Sequence, residues 1–441
     1  MNNILQLPQF INTINQTNLS FDNFILNETK TKDNYTRSNE LDMANSLELL
    51  DLLFLNSDYR KQNYFVKQIR SRTIVNTIGT IQFRRRQYQS KHDDSYYYFI
   101  DDIMNLKPYK RLSWALITQV LKQVTIDSYQ RIANDLNISK GSVYNIVKSI
   151  RDKILVSPLK PKKKIDFLYV QADECYVKLQ KKYAGRKTNT IILEQITVHE
   201  GLHRVCKGRN KLVNRRLYTR AQTESSDEFY DRVNEDLLAM YDYKNIYLYG
   251  DGASWIKSAA DALGATYITD LFHTMQAVHR LTTNVDWRNI LTSSVIMNNK
   301  LHFEIFKEYE LDKSNPSKLR NNSYKYLINH WDSIQLNFTK EKSVGCSQEG
   351  INSHYYASRL TTRPKGFHEA SARVIAQLVN IRQNNDNFDF EIMEQIVKPV
   401  MKEVRTKQIK YPDEYIPPQG HFIDTSNKKD TLRRISHPYI S

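Results

Sequence analysis

Strand-like apolar runs alternate closely with amphipathic, helix-like runs between Ile165 and Asn284, and this alternation most constrains the fold. Three successive strands are predicted by "IDFLYVQADECYVKL", "TNTIILEQITVHEG" and "KLVNRRLYTRAQ", which are rich in β-branched and aromatic residues. After them come the helix "SSDEFYDRVNEDLLAMY" with Ser226 as its predicted N-cap, the strand "NIYLYGD", the helix "SWIKSAADALG", the strand "ATYITD" and the helix "LFHTMQAVHRLTTN". This order predicts a mixed sheet with helices on both faces.

The order of elements is the one expected of an RNase H-like core, so the predicted fold class is α/β. From Val285 to about Lys342 the sequence is polar and helical without a strand signal, which indicates an insertion in that core. The segment from Gly345 to Gln383 then predicts one helix, a Thr-Thr-Arg-Pro loop and a second helix. The core is therefore expected to be completed only after the insertion.

The N-terminal region has a different pattern. Residues 1–39 are polar and predicted to be loosely ordered, and "ELDMANSLELLDLLFLN" after them predicts an amphipathic helix. Residues 71–90, with the later "SYYYFID", predict a small hairpin or three-stranded sheet whose edge carries Arg84, Arg85 and Arg86. These arginines either solvate an edge strand or contact phosphates, and the sequence favours neither role.

The segment "SYQRIANDLNISKGSVYNIVKSI", residues 128–150, has the spacing of a helix-turn-helix. Asn137 is placed at the turn because Asn tolerates the left-handed conformation, and Ser139 is the predicted N-cap of the second helix. That helix lies in the DNA major groove in this motif, so the residues expected to face DNA are Lys140, Ser142, Tyr144, Asn145 and Lys148. The alternative is a helical hairpin in a protein that never contacts DNA.

The charge of the chain favours a polyanionic partner. Lys and Arg number 64 against 48 Asp and Glu, a net charge of +16, and such surfaces bind nucleic acid by releasing counterions. The three cysteines have no paired spacing, which argues against a zinc ribbon or a disulfide framework. No membrane span or signal peptide is found, so we expect a cytoplasmic, nucleoid-associated protein without a membrane partner.

Composition also predicts the domain organisation. The prolines and lysines of "VSPLKPKKKIDF" mark a boundary, which reads most simply as a solvated linker. The predicted division is an N-terminal helical or disordered region 1–69, a hairpin and helix-turn-helix region 70–156, a linker 157–164, a first core part 165–284, a helical insertion 285–342, a core completion 343–400 and a basic tail 401–441.

Two carboxylates lie at or near the ends of predicted strands. If the strands of Asp173 and Asp251 are neighbours, the two side chains converge on one edge of the sheet. Mg²⁺ prefers oxygen ligands, and two such ions can serve the attacking and leaving oxygens in phosphodiester chemistry. Gly250 and Gly252 would leave room beside Asp251; alternatively "GDG" is only a strand-to-helix turn. Glu174 is an alternative to Asp173, because neighbouring residues of a strand point to opposite faces.

A third acid is expected, and spacing alone does not choose it among dozens. Glu349 is a candidate because it begins a helix immediately after the insertion. Arg359, Arg363 and Lys365 follow it in the sequence as candidate phosphate contacts, with a solvated loop as the alternative reading.

The blocks "GDGASWIK", "DLFHTMQAVHRL" and "GCSQEGINSHYYASRLTTRPKGF" resemble those of DDE transposases from bacterial insertion sequences, most closely the ISLre-type group. The likeness extends from "RTIVNTIGTIQFRRRQY", near Arg70, to about Gln383. It implies an RNase H-like catalytic domain interrupted by a helical insertion, with Asp173, Asp251 and Glu349 as metal-binding triad. "DLFH" resembles an acid-x-x-His signature, which implies Asp270 and His273 as groups that position DNA or a metal-bound water; a hydrogen-bonded structural histidine is the alternative.

These observations together predict a DNA transposase. It is expected to bind terminal inverted repeats and to use two Mg²⁺ or Mn²⁺ ions for cleavage and strand transfer of double-stranded DNA. A dimer or larger homo-oligomer is expected because two element ends must be held together. The alternatives are a catalytically inactive, domesticated DNA-binding protein and a stand-alone RNase H-like nuclease or resolvase.

Overall fold

The computed structural model describes residues 21–384 apart from 94, 105, 107, 181–188, 208, 315, 340–343 and 363–365, with side chains from residue 36 except 209 and 314. The chain forms two compact units: described residues up to Gln119 form the first, and those from Val120 to Asn384 form the second. The predicted linker 157–164 therefore lies inside the second unit, and residues 128–150 belong with the sheet that follows them. The predicted basic tail 401–441 lies outside the described residues.

The first unit joins a long helix to a small antiparallel sheet. Helices α1 (Phe21–Asn56) and α2 (Asp58–Asn63) precede strands β1 (Tyr64–Val75), β2 (Thr80–Ser90) and β3 (Tyr96–Tyr97), in the order β1-β2-β3, and helix α3 (Phe99–Ile103). The predicted helix is confirmed, and of the predicted hairpin or three-stranded sheet the structure has the sheet. The loose order predicted for residues 1–39 is wrong from Phe21 onward, where α1 begins, and residues 1–20 lie outside the described residues. Their core is apolar and contains Ala44, Leu47, Ile74, Ile81, Phe83 and Ile100.

Carboxylates of α1 accept hydrogen bonds from backbone N–H groups of β2. The three pairs are Thr80 N to Glu40 Oε1 at 2.8 Å, Arg84 N to Glu48 Oε1 at 2.8 Å and Arg86 N to Asp51 Oδ2 at 3.1 Å. Strand β3 pairs with β2 only at Tyr88 and Gln89. The acids of α1 therefore satisfy donors on the side of β2 that β3 leaves uncovered.

The three arginines of β2 form ion pairs within the first unit. Arg84 pairs with Glu48 at 3.4 Å and Arg86 with Asp51 at 2.7 Å. Arg85 is buried, 3.0 Å from Asp101 and 3.7 Å from the centre of the Tyr98 ring. Arg85 and Arg86 thus form ion pairs inside the first unit, a role different from both readings of the sequence pattern, and Arg84 is the exposed member of the three.

The second unit is built on a five-stranded mixed sheet. Its strands are β4 (Lys163–Lys178), β5 (Thr190–His199), β8 (Arg216–Thr219), β9 (Tyr241–Gly250) and β10 (Thr266–Thr269), and their order in the sheet is β10-β9-β4-β5-β8. Strand β4 pairs antiparallel with β5 and parallel with β9, which pairs parallel with β10. The predicted strand "KLVNRRLYTRAQ" is interrupted: β7 (Arg209–Leu212) pairs with β6 (Leu202–Cys206) in a separate hairpin before β8 begins.

Helices cover both faces of this sheet. Helices α7 (Ser226–Met240) and α8 (Ser254–Ala262) pack against one face, where Leu168, Val170, Ala172 and Leu248 are buried. The N-cap of α7 is Ser225 in a capping box with Glu228, one residue before the predicted Ser226. On the other face Tyr169, Tyr247, Tyr249 and Ile268 pack with Leu336, Val344 and Cys346. Helix α9 (Leu271–Leu281) follows β10.

Two short helices precede the sheet in the same unit. Helix α4 (Trp114–Val124) spans the junction between the units, and α5 (Tyr129–Asp135) and α6 (Lys140–Lys148) follow it. Asn137 adopts the positive φ predicted for the turn, 51°, and Ser139 caps α6 by accepting from Ser142 N at 2.9 Å. The buried residues of the pair are Ile132, Ala133, Val143, Ile146 and Val147, whereas Ile138 is only half-buried.

All regular secondary structure in the described residues of the predicted insertion is helical. The insertion contains α10 (Val285–Ile296), α11 (Leu301–Phe306), a π-helical turn at Lys307–Leu311, α12 (Lys318–Asn329) and α13 (Trp331–Gln335). Beyond it lie α14 (Gln348–Ile351), a π-helical turn at Asn352–Ala357, α15 (Ser358–Leu360) and the largely buried α16 (Glu369–Asn384). None of the described helices combines the length and apolarity needed to span a membrane.

Gly250 and Gly252 are required by backbone conformation and packing. A Cβ on Gly250 would lie 2.6 Å from Ile256 Cγ2 and 3.3 Å from the Ala172 carbonyl oxygen. Gly252 has φ +93°, and a Cβ there would lie 2.5 Å from His330 Nε2. The two glycines therefore let α8 and His330 close in on the chain around Asp251, a more specific reason than the room for metal and phosphate expected from the sequence.

We predict that Gly252→Ala lowers the free energy of unfolding by about 2–3 kcal/mol, because it adds a steric contact with His330 to a backbone conformation that Ala avoids. Gly264→Ala is the matched control: its φ is +61° and nothing lies within 4 Å of a Cβ there. Its expected loss is about 1 kcal/mol. Urea unfolding followed by tryptophan fluorescence measures both, and equal losses would show that His330 moves aside without cost.

We predict that Asp51→Ala destabilises the first unit by about 3 kcal/mol, because it leaves the Arg86 guanidinium without its buried partner. Asp51 is fully buried and also accepts from Tyr88 Oη at 3.2 Å. Asp58→Ala is the control, since Asp58 forms an exposed ion pair with Lys61 and should change stability by under about 0.5 kcal/mol. Thermal unfolding measures both variants. An Asp51→Ala protein with the melting temperature of wild type would contradict a structural role of the Asp51–Arg86 ion pair.

Candidate active site

Asp173, Asp251 and Asp270 lie where the parallel pairing of three neighbouring strands ends, although β4 itself continues to Lys178. The last pair between β4 and β9 is Gln171 with Tyr249, and two residues further on each chain reaches Asp173 and Asp251. The last pair between β9 and β10 is Gly250 with Thr269, and the next residues are Asp251 and Asp270. Parallel pairing therefore brings the three carboxylates to the same edge of the sheet.

Asp173 and Glu174 lie in different surroundings. Asp173 shares its face of β4 with Gln171, and its Oδ1 accepts from Glu174 N at 2.8 Å. The Glu174 carboxylate accepts from Trp255 Nε1 at 2.6 Å and from Tyr176 Oη at 2.5 Å. The Glu174 side chain is thus engaged by an indole and a phenol, whereas that of Asp173 lies in the field of Asp251.

The electrostatics of Asp173 show a crowded carboxylate site. Burial raises the pKa of Asp173 above its ordinary value, and the negative charge of Asp251 raises it further. Hydrogen bonds from Glu174 N and Asn352, and the charge of His273, lower the same pKa and so partly offset the burial. Asp251 itself closes a local turn, since its Oδ1 accepts from Ala253 N at 3.0 Å.

Asp270 and His273 form the second half of this cluster. Asp270 is the N-cap of α9, where it accepts from Phe272 N at 3.1 Å, and its Oδ2 lies 3.9 Å from His273 Nε2. Burial raises the pKa of Asp270, the charges of Glu349 and Asp251 raise it further, and His273 lowers it. Asp270 therefore belongs to the carboxylate cluster itself, whereas the sequence resemblance implied it as a group that positions DNA or a metal-bound water.

Glu349 is exposed in the first turn of α14, and two contacts fix that helix beside β4. On one side of Glu349, Gln171 Oε1 accepts from Ser347 N at 3.0 Å and from Ser347 Oγ at 3.1 Å. On the other side, Asn352 Nδ2 donates to the Glu174 carbonyl at 2.8 Å and lies 3.4 Å from Asp173 Oδ2. The chain after the insertion is thus anchored to β4 within two residues of Asp173.

His330 and Cys346 were not selected from the sequence. His330 Nδ1 bonds the Tyr326 carbonyl at 2.9 Å, while its Nε2 is buried without a hydrogen-bond partner next to Gly252. Burial lowers the pKa of His330, and Asp251 raises it. Burial raises the pKa of the Cys346 thiol, and three charges act on it in the same direction, those of Asp270, Asp173 and Asp251. No local sequence signal places either residue at this edge, because the insertion folds back from a distance.

The donor set at this edge suits a hard cation. Carboxylate oxygens are the ligands that Mg²⁺ prefers, and it commonly uses only one or two protein carboxylates together with phosphate oxygens. Within the described ranges, no three His, Cys, Asp or Glu side chains stand close enough to hold a metal ion together. The described carboxylates at this edge are therefore not a closed cage of protein ligands.

A cleft of about 930 Å³ opens next to α14. Its charged lining residues are Lys160, Lys211 and Arg215, and no Asp or Glu is among the described residues that line it. Arg215 donates to Tyr355 Oη at 2.8 Å and lies 4.7 Å from the centre of that ring. The cleft next to α14 is thus positively charged.

The residues predicted to contact DNA lie in several settings. Lys140, Tyr144, Asn145 and Lys148 are exposed on α6 and Ser142 is half-buried. Arg359 is buried, and its Nε donates to the Val124 carbonyl at 2.6 Å. Arg363 and Lys365 lie outside the described residues. The exposed face of α6 is therefore the part of the prediction that the structure leaves accessible.

Similarity searches find relatives over most of the chain. A UPF0236 protein of Caldanaerobacter subterraneus subsp. tengcongensis is 28% identical over 346 residues, 75% of this chain and 72% of its own. A second from that organism, whose name joins eleven designations, is 25% identical and covers 82% of this chain and 81% of its own. The UPF0236 protein in vanSb 3′region of Streptococcus gallolyticus is 22% identical over 78% of this chain and 79% of its own.

One solved structure, titled Drosophila P element transposase strand transfer complex, aligns over 69% of this chain and 86% of that chain, at 10% identity. Its TM-score of 0.20 is too low to support a shared fold. The sequence family is a firmer result, because the model of an uncharacterised protein family, UPF0236, matches residues 24–395. The chain belongs to the UPF0236 family.

Proposed function

We propose that this protein is a DNA transposase that cuts and joins phosphodiester bonds with the carboxylates Asp173, Asp251 and Glu349. The observation that carries the proposal is the register of β4 and β9, which sets Asp173 and Asp251 at the same level of adjacent parallel strands. The anchoring of α14 to Gln171 and to the Asp173–Glu174 segment supports Glu349 as the third acid.

The sheet supports an RNase H-like core within this proposal. Three strands, β4, β5 and β8, pair antiparallel in chain order, and the chain then crosses to β9 and β10, which lie parallel to β4 on its other side. The helical segment 285–338 enters after α9 and before α14. This is the expected position of an insertion that separates the second acid from the third.

Mg²⁺ or Mn²⁺ fits the oxygen donors of the cluster, with Asp173 and Asp251 as the first ligands and Glu349 or substrate phosphate oxygens completing the site. Two bound ions would supply Lewis-acid stabilisation of the attacking and leaving oxygens. The raised pKa values of Asp173 and Asp270 mark the same edge as one where added positive charge is favourable.

The chain's own residues would position the reactants. A water would attack a phosphodiester at the element boundary and break its P–O3′ bond, which leaves a 5′-phosphate and a DNA 3′-hydroxyl. That 3′-hydroxyl would then attack a phosphodiester of the target strand and displace the 3′-oxygen of the target, so that one phosphodiester forms as another breaks. His273 Nε2 lies 3.9 Å from Asp270 Oδ2, and the imidazole would hold a water or a phosphate oxygen beside the acids. Lys160, Lys211 and Arg215 would contact backbone phosphates in the cleft next to α14.

The helices α5 and α6 would recognise the terminal repeats as a helix-turn-helix. Lys140, Ser142, Tyr144, Asn145 and Lys148 would contact DNA, and a dimer or larger assembly would hold two ends together on the nucleoid in the cytoplasm. Eleven designations joined in the name of one relative are what repeated copies of one gene would produce, as expected for a mobile element. The net charge of +16 agrees with a DNA partner.

The second candidate is a DNA-binding protein without catalysis, derived from such an element. Asp251 closing a local turn through Ala253 N favours it to a degree, because that role alone would retain the residue. A structural aspartate would not, however, explain why Asp173, Asp251 and Asp270 share one edge, where the charge of Asp251 adds to burial in raising the pKa of Asp173 and that of Asp270.

We predict that wild-type protein nicks a DNA duplex carrying the end sequences that flank its gene, in the presence of Mg²⁺, and that Asp251→Asn abolishes the nick. The expected loss is at least about 10³-fold, as when a catalytic group is removed from a preorganised charge site. Asp242→Asn is the matched control, because Asp242 is exposed at the other end of the same strand. Strand cleavage is measured on denaturing gels.

Each result has a distinct reading. Cleavage that survives Asp251→Asn removes this residue from the reacting centre. Tight, sequence-specific binding without cleavage by either protein favours the non-catalytic candidate. Loss of cleavage in both Asp251→Asn and Asp242→Asn would indicate misfolding of β9, which circular dichroism distinguishes.

We predict that Mn²⁺ raises the melting temperature more strongly at neutral pH than near pH 4, close to the ordinary Asp pKa of about 3.9. An acid whose pKa is raised by folding stabilises the folded state most when protonated, so its contribution falls as the pH rises through the interval between the unfolded and folded pKa. Asp173 and Asp270 both have raised pKa values. A cation should therefore recover stability at neutral pH, by about 2.7 kcal/mol at a hundredfold excess over Kd.

The same experiment on Asp173→Asn and Asp242→Asn provides the test. The Mn²⁺ increment should be largely lost in Asp173→Asn and retained in Asp242→Asn. An equal increment in all three proteins would place the bound cation away from the carboxylate cluster.

A further inference from the structure

A second positively charged cavity, of about 670 Å³, lies between the two short helices and the residues that precede α16. The residues that matter here are Tyr129, Lys140, Tyr144, Arg151, Arg359 and His368. The carboxylates of the candidate active site do not line it. The cavity therefore has a chemistry of its own.

Arg151 is the unusual member of this lining. It follows the end of α6 and is only 7% exposed, yet its Nε and Nη2 are buried without a hydrogen-bond partner. Its Cζ lies 4.9 Å from the centre of the Tyr144 ring, and no ion pair joins it to an acid among the described residues. A buried guanidinium with unused donors is costly unless an anion occupies its fork.

The rest of the lining adds positive charge without an acid. Lys140 and Arg359 are the other cations, and no Asp or Glu is found among the described lining residues. Burial lowers the pKa of Arg359, and the charge of Asp127, which does not line the cavity, raises it. The Asp127 carboxylate itself lies 3.4 Å from Arg131 Nη1. Burial raises the pKa of Tyr129, and the charges of Arg359 and Arg151 both lower it. The two guanidinium groups therefore act on the same space.

We propose that this cavity is a phosphate-binding site centred on Arg151, and that its ligand in the working protein is a backbone phosphate of DNA. The planar guanidinium fork matches a tetrahedral oxyanion with two parallel hydrogen bonds, which a lysine does not provide. Lys140 and Tyr144 belong both to this cavity and to the exposed surface of α6. A DNA strand following α6 would therefore bring a phosphate to the cavity mouth.

The two parts of this inference depend on different things. A phosphate site on Arg151 needs only the buried donors and the absence of an acid in the described lining. The DNA source of that phosphate rests on the proposed function, since the same fork would accept the phosphate of a free nucleotide. The experiment below separates them, and it omits divalent cations so that its result is independent of strand cleavage.

The first measurement uses inorganic phosphate as the probe. At tens of millimolar phosphate, compared with chloride at equal ionic strength, the melting temperature should rise by roughly 3–6 °C at ten times Kd. Arg151→Gln should lose this shift, and in chloride it should melt no lower than wild type because it removes an unpaired buried charge. Arg151→Lys should retain only part of the shift. Arg131→Gln, an exposed arginine outside the cavity, should keep all of it.

If phosphate does not raise the melting temperature of the wild-type protein, the proposed phosphate site is wrong. A shift that is undiminished in Arg151→Gln overturns it as well, since phosphate would then bind elsewhere. A shift that disappears equally in Arg131→Gln would also overturn it, because it would reflect general screening of positive charge.

The second measurement is binding of a fluorescent DNA duplex at several salt concentrations. Arg151→Gln should weaken binding about tenfold on any sequence and reduce the salt dependence by about one released counterion. The loss should be similar for terminal-repeat and unrelated DNA, because phosphate contacts do not read sequence. A phosphate-dependent melting shift with unchanged DNA binding would assign the site to a free phosphate compound and overturn the DNA source.

Discussion

The parallel pairing of β4 with β9 is the constraint on which the second unit depends. Strand β4 is central, and it carries Gln171 and Asp173 at the end where β9 turns into α8. Gln171 holds the segment before α14, and Asp173 lies level with Asp251. A shift of β4 by one residue would turn Asp173 to the face occupied by α7 and α8 and would release α14 at the same time.

The order of elements was readable from the sequence because each strand and helix carries its own periodicity. Strand β4, the hairpin of the first unit and the turn at Asn137 follow from apolar alternation and from the tolerance of Asn for positive φ. The prediction of a single strand through residues 213–215 was wrong, because Asn214 adopts φ 49° just after the pairing of β7 ends at Leu212. Local composition does not show where one strand changes partner.

The contacts that give the candidate site its character are long-range, and no local pattern encodes them. Asn352 contacts Asp173 from 179 residues further along the chain. Position 252 has no room for a side chain because His330 of the insertion packs against it. Arg84 and Arg86 of β2 are similar: the basic run is visible in the sequence, but the acidic partners of these two residues lie 36 and 35 residues earlier on α1. Charge in a sequence indicates a surface only when no partner folds onto it.

Those acids on α1 have a further consequence for the first unit. A strand with free backbone donors is a template for another strand, and proteins must block such edges to remain unaggregated. Glu40, Glu48 and Asp51 occupy three of these donors on β2. Another strand could pair with that side of β2 only by displacing the three carboxylates and leaving Arg86 without its ion-pair partner. Helix α1 therefore protects β2 from edge-to-edge association.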